Sequence, residues 1–115
     1  MGLLLAGCTT ITNLTPKQEH RNDNGSYNVD AALSTRQQTM RWDSIKPSVV
    51  VGKEVYPMHL THLMTNRWET LVPVGPNENV IYYQLKFDYS YNAFGSAPKS
   101  DSMLSQKYRL QIVPR

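Results

Sequence analysis

Residues 80–94 read Val-Ile-Tyr-Tyr-Gln-Leu-Lys-Phe-Asp-Tyr-Ser-Tyr-Asn-Ala-Phe. Ile81, Tyr83, Leu85, Phe87, Tyr89 and Tyr91 are apolar or aromatic, while Gln84, Lys86, Asp88, Ser90 and Asn92 are polar. Alternation with a period of two puts the first set on one face of a β-strand and the second set on the other. At about 3.3 Å per residue, the run is long enough to cross a small sheet. The other segments read as elements that pack on its apolar face.

Six further stretches carry a strand pattern. Residues 27–35 place Tyr27, Val29, Ala31 and Leu33 on one side, and residues 67–72 do the same with Trp68, Thr70 and Val72. In residues 106–113, Tyr108, Leu110 and Ile112 face in, and Lys107, Arg109 and Gln111 face out. Ser48-Val49-Val50-Val51 follows Pro47 as a short buried strand. Gly52-Lys53-Glu54 then turns the chain into residues 55–58, the return arm of a hairpin, and Pro57 confines that arm to a sheet edge. Thr9-Thr10-Ile11-Thr12-Asn13-Leu14-Thr15 is β-prone up to Pro16 and reads as an edge strand. Residues 36–44 admit two readings, because Met40 and Trp42 share a strand face while Gln37-Gln38 tolerates a helical turn. Residues 17–26, ending in the turn pair Asn24-Gly25, and residues 59–66, 73–79 and 95–102 read as linkers, turns and loops. No helical pattern of ten or more residues, no internal repeat and no domain boundary is evident.

About seven short strands in roughly 100 residues, separated by turn signals, are the signature of an all-β antiparallel sandwich. Over residues 10–113 the pattern resembles an immunoglobulin-like or fibronectin type III-like β-sandwich. Tyr83 stands near the start of the penultimate strand, as the tyrosine-corner residue of that fold does. The chain lacks the cysteine pair of true immunoglobulin domains and has no Trp in residues 48–51. A jelly roll or a small barrel is the alternative arrangement.

Length and composition agree with one globular domain: 115 residues, 40% hydrophobic and 18% charged. The net charge of +3 is spread over scattered Lys and Arg residues, so no nucleic-acid partner is expected. Cys8 is the sole cysteine, which excludes a disulfide within the chain. No run reaches the ~20 apolar residues needed to span a bilayer as a helix.

The first eight residues are Met-Gly-Leu-Leu-Leu-Ala-Gly-Cys. Leu5-Ala6-Gly7-Cys8 resembles the lipobox of bacterial lipoproteins, Leu-[Ala/Ser]-[Gly/Ala]-Cys. The resemblance implies cleavage before Cys8 and acylation of its sulfur and amine, with Cys8 as the lipid attachment site. Two or more acyl chains give stable anchoring where one does not. A complete signal peptide has a basic start and ~15–30 residues. Seven residues precede Cys8 and none is Lys or Arg, so residues 1–7 read as a truncated signal-peptide remnant whose start lies upstream. Residues 8–115 then form a single β-sandwich domain. By the same resemblance, Thr9 after the cysteine implies the outer membrane of the bacterial cell envelope, facing the periplasm or the surface.

Candidate chemistry is sparse. His59 and His62 are close in sequence, but no Cys, Asp or Glu nearby completes a metal site. Gly-x-Ser-x-Gly, phosphate-loop, Gly-x-Gly-x-x-Gly and Cys-x-x-Cys motifs are all absent. The expectation is a non-enzyme with no catalytic residue, metal or cofactor. Asp88 beside Lys86 reads as a surface charge. Tyr83, Phe87, Tyr89, Tyr91 and Tyr108 read as core, whereas Trp42, Tyr56, Trp68 and Tyr82 are the candidate binding residues. Planar aromatics on a β-sandwich are how many carbohydrate-binding modules hold sugar rings; the competing role for the tryptophans is to fill the interior. Asn13-Leu14-Thr15 matches a glycosylation acceptor, which carries little weight in a bacterial chain. The leading reading is an envelope lipoprotein held to the membrane through Cys8, with a structural or protein-binding sandwich. The alternative is a carbohydrate-binding module, so the further partner is an unknown protein or polysaccharide.

Overall fold

The computed structural model describes residues 9–95 and 97–115. Cys8 and the rest of the lipobox lie outside the described residues. Ten strands follow one another: β1 (Thr9–Asn13), β2 (Gln18–His20), β3 (Ser26–Thr35), β4 (Met40–Val51), β5 (Glu54–Pro57), β6 (His59–Leu60), β7 (Arg67–Pro73), β8 (Val80–Tyr91), β9 (Lys99–Leu104) and β10 (Tyr108–Val113). There is no helix among the described residues. One sheet has the order β1-β3-β7-β6. The other has the order β2-β10-β8-β4-β5, with β9 also pairing β8.

Strand β8 is the axis of the larger sheet, and its alternation is realised. Ile81, Tyr83, Leu85, Phe87 and Tyr89 are buried, and Tyr91 is half-buried. Its neighbours match it in register: Leu110 opposes Ile81, Val49 opposes Leu85 and Pro47 opposes Phe87. From the smaller sheet, Tyr27, Val29, Ala31 and Leu33 of β3 meet this layer, together with Trp68 and Val72 of β7. Trp68 stands edge-on to Phe87, with ring centroids 5.4 Å apart at 78°. Two unclosed sheets with one shared core make an all-β sandwich.

The β4–β5 hairpin turns on Gly52, whose φ of 60° suits glycine at the first central position of a two-residue turn. Pro47 is tolerated inside β4 because its main-chain edge faces away from β8, so no ladder bond to β8 needs its missing N–H. Its carbonyl accepts the Met58 N–H at 3.0 Å.

Three strands exceed the sequence reading. Residues 95–102 are not all loop, since β9 begins at Lys99. Residues 17–26 contain β2, which runs parallel to β10. Residues 59–66 contain the two-residue β6. All three are edge segments with mostly exposed side chains, so no buried face imposes a periodicity on their sequences. Strand β8 also stops at Tyr91, leaving Phe94 in the following turn.

Two bulges shape the larger sheet. Leu104 opposes Lys86 and Tyr108 opposes Tyr83, so residues 105–107 stand against only Gln84 and Leu85. Ser105 bridges the gap: its N–H donates to the Leu85 carbonyl at 2.9 Å and its Oγ accepts the Leu85 N–H at 2.8 Å. Strands β9 and β10 therefore continue one another as the return arm of a long hairpin from β8.

In β4, Arg41 opposes Ser90 and Lys46 opposes Asp88, so four residues stand against Tyr89. Ser44 Oγ accepts the Ser90 N–H at 2.8 Å and donates to the Arg41 carbonyl at 2.5 Å.

Several connections gather at one end of the sandwich. Thr9 pairs Thr35, the Leu33 N–H donates to the Asn66 carbonyl, Met40 pairs Tyr91, and the Asn92 N–H donates to the Thr39 carbonyl. The start of β1, the turn 36–39, the loop 61–66 and residues 92–95 after β8 thus share this end. The molecule measures 55 × 31 × 24 Å along its principal axes.

Candidate functional site

The four aromatic candidates occupy different environments. Trp68 is 5% exposed and sits against Phe87 in the interior. Tyr56 of β5 opposes Val49 and packs partly buried on the core. Tyr82 lies on the outer face of the larger sheet, where it pairs Arg109 and lines a hollow with Val50, Gly52, Gln84 and Lys107. Trp42 is 43% exposed on the β4 bulge, beside Leu33, Thr35, Thr65 and Asn66. Trp42 is the first residue of that bulge, where the ladder with β8 is interrupted, and it is exposed although buried Met40 lies only two positions earlier. The four side chains form no common platform.

Polar groups concentrate in two places. A hollow of about 800 Å³ over the β4 bulge is lined by Asp43, Ser44, Lys46, Asp88, Ser90 and Asp101, among others. Asp88 is 3.8 Å from Lys86. Tyr89 Oη reaches Asp101 at 3.5 Å, and its pKa is raised by burial first and then by that carboxylate. The hollow is lined by hydroxyls and carboxylates with one amine, Lys46.

The second cluster lies on the outer face of the smaller sheet. Asp30 and Glu69 are direct cross-strand partners there. Arg67 stands 3.6 Å from Asp30, and His59 stands 3.9 Å from Glu69. Desolvation and then Glu69 raise the Asp30 pKa, against the lowering influence of Arg67 and Asn28. His59 thus has a carboxylate neighbour that is distant in sequence, while His62 lies in the loop that follows. Among the described residues no group of three His, Cys, Asp or Glu is placed to hold a metal ion.

Tyr83 closes one side of the sandwich. Its Oη accepts the Asn13 Nδ2 amide of β1 at 2.8 Å, and its ring lies 5.7 Å from that of Tyr108. The contact therefore joins the two sheets. Burial is the largest influence on the Tyr83 hydroxyl and pushes its pKa up.

Two surface residues were not singled out by sequence reasoning. Leu63 is 89% exposed with φ 65°, a left-handed conformation that leucine rarely adopts. Phe94 is 106% exposed at the tip of the β8–β9 turn. Neither has a sequence signal of its own: Leu63 lacks the Gly or Asn that marks positive φ, and Phe94 follows the alternating run out of its odd-numbered phase.

Comparison of the chain with protein-family models, with curated proteins and with solved structures finds no match.

Proposed function

We propose that this chain is a lipid-anchored protein of the bacterial cell envelope whose immunoglobulin-like sandwich is a structural or protein-binding module. The observation that carries it is the motif Leu5-Ala6-Gly7-Cys8 directly before Thr9, the first residue of β1. An acyl group on Cys8 would tether the domain with almost no linker. The immunoglobulin-like assignment is supported by strand order. The sequences β1-β3-β7-β6 and β10-β8-β4-β5 follow the A-B-E-D and G-F-C-C′ orders of that fold.

The proposed partner surface is the free edge of β9. This strand pairs β8 alone, contains no proline and keeps most of its side chains exposed. An extended segment of another protein would add to it through main-chain hydrogen bonds.

Expression from its own gene with labelled palmitate tests the anchor. The parent protein is expected in the membrane fraction with label, and Cys8→Ser in the soluble fraction without it. A Cys8→Ser protein that keeps both label and membrane location refutes the anchor. A photocrosslinking side chain at Ser102 tests the edge, with one at Asn28 on the smaller sheet as control. One discrete adduct from Ser102 alone supports β9 as the docking edge; equal adducts from both positions refute it.

A further inference from the structure

The two most exposed large apolar residues, Phe94 at 106% and Leu63 at 89%, lie in turns at the same end of the sandwich. Trp42 and Met64, both also exposed, belong to this end. Its segments 35–42, 61–66 and 92–99 hold three cationic side chains, Arg36, Arg41 and Lys99, and no Asp or Glu. All three cations are exposed, and none forms an ion pair among the described residues. Asp43 follows Trp42 directly and shares a hollow with it, Asp101 lies two residues past Lys99, and both line the hollow over the β4 bulge.

We propose that this end docks on an anionic lipid surface, with Trp42, Leu63 and Phe94 entering the headgroup layer and Arg36, Arg41 and Lys99 meeting lipid phosphates. The inference deepens the anchor reading and rests on it for the side that faces the bilayer. Thr9 Oγ1 lies 2.7 Å from Thr35 Oγ1, so Thr9, the residue that follows Cys8 in the sequence, is held at this end. One residue of extended chain reaches at most about 3.6 Å, and the headgroup layer is roughly 5–8 Å deep on each side. An acylated Cys8 therefore brings the 35–42 segment to the lipid surface without any further contact.

The composition of this end suits a lipid interface better than a protein pocket. Tryptophan is favoured at the headgroup level. Exposed Leu and Phe on loop tips insert, and unpaired basic side chains gain from anionic headgroups. The left-handed backbone of Leu63 holds an apolar side chain outward at a position where glycine would be the easier residue.

The test uses the full chain carrying Cys8→Ser, so that acylation plays no part. It is mixed with phosphatidylglycerol-containing vesicles, with neutral phosphatidylcholine vesicles, and with vesicles bearing brominated acyl chains. The expected result is co-sedimentation with the anionic vesicles, weakened by salt. Brominated chains should quench exposed Trp42 and spare buried Trp68.

Leu63→Gly and Phe94→Ser, added to the same chain, should together lower partitioning by at least about tenfold. Leu63→Gly alone should leave the unfolding midpoint unchanged or raised, because glycine accepts the positive φ. The residues before Cys8 are common to all variants, so the difference isolates the loops. Partitioning equal for parent and variants, or no Trp42 quenching, overturns the docking proposal. So does self-association of the Cys8→Ser chain that Leu63→Gly abolishes, without lipid binding. Palmitate labelling of the parent distinguishes the two readings: a labelled parent with unquenched Trp42 keeps the anchor and sinks the docking. An unlabelled parent whose Cys8→Ser form still binds in a Leu63-dependent way sinks the anchor alone.

Discussion

Leu85 and Phe87 are fully shielded from solvent, while Lys86 between them points out of the larger sheet toward Asp88. Truncating either apolar residue removes buried surface and leaves a cavity. Leu85→Ala or Phe87→Ala should therefore cost roughly 2–5 kcal/mol, a large share of a small domain's stability. Lys86→Ala should stay within about 0.5 kcal/mol, because its ion pair is exposed. Urea titration of the three variants decides it, and equal losses on the two faces would contradict the burial pattern.

Asp30 offers a pH test at the same scale. Its folded pKa lies above the ordinary Asp value because burial and Glu69 outweigh Arg67 and Asn28. The folded state thus binds this proton more tightly than the unfolded chain, so ionising Asp30 costs stability. That cost is absent below the unfolded pKa near ~3.9, grows as pH rises to the folded pKa, and is constant above it. Asp30→Asn should then be at least as stable as the parent at neutral pH, with the advantage fading on acidification. A variant that loses more stability at pH 7 than in acid would show that the Arg67 contact dominates.

At the scale of elements, the β4 bulge is held by a side chain. Ser44 Oγ takes the place of a ladder carbonyl by accepting the Ser90 N–H. Ser44→Ala should cost about 1 kcal/mol and leave the Ser90 amide without that acceptor. Faster exchange at Ser90 than at its neighbours, read by amide hydrogen exchange, is the expected signature; an unchanged rate would mean that the backbone alone sets the bulge. This bulge also marks where the sequence stops being readable. Strands β3, β7, β8 and β10 each bury one face, so their alternation declares them. The Val run and Gly52 declare the β4–β5 hairpin. Strands β2, β6 and β9 bury little and owe their extended form to neighbours distant in sequence, such as Ile112 opposite Glu19 and Asp88 opposite Ser102. Trp42 and Met40 look equivalent by period, yet Trp42 begins the bulge and is exposed while Met40 is buried. The candidate aromatics were legible as residue types, but their separation on the surface depends on pairing register.

Across the whole molecule, stability should follow the overlap of the two sheets. Residues 81–87 of β8 are flanked in their own sheet by β10 and β4, and Phe87 is covered by Trp68 from the opposite sheet. Strand β9 is bonded on one side only, and all but one of its residues are exposed. Opening β9 releases little apolar surface, since Met103 alone among its residues packs against the core. Native-state hydrogen exchange should therefore divide the long hairpin. The Lys86 amide, which faces β4 rather than β9, should exchange only through global unfolding, with a rate that responds steeply to added urea. Amides of residues 99–102 should exchange through local opening, faster and with little urea dependence, because the surface exposed sets the slope. Equal rates and equal slopes along both arms would mean that β9 is as firmly held as the core strands. The edge would then be too costly to open, and a partner strand would have to add to β9 as it stands.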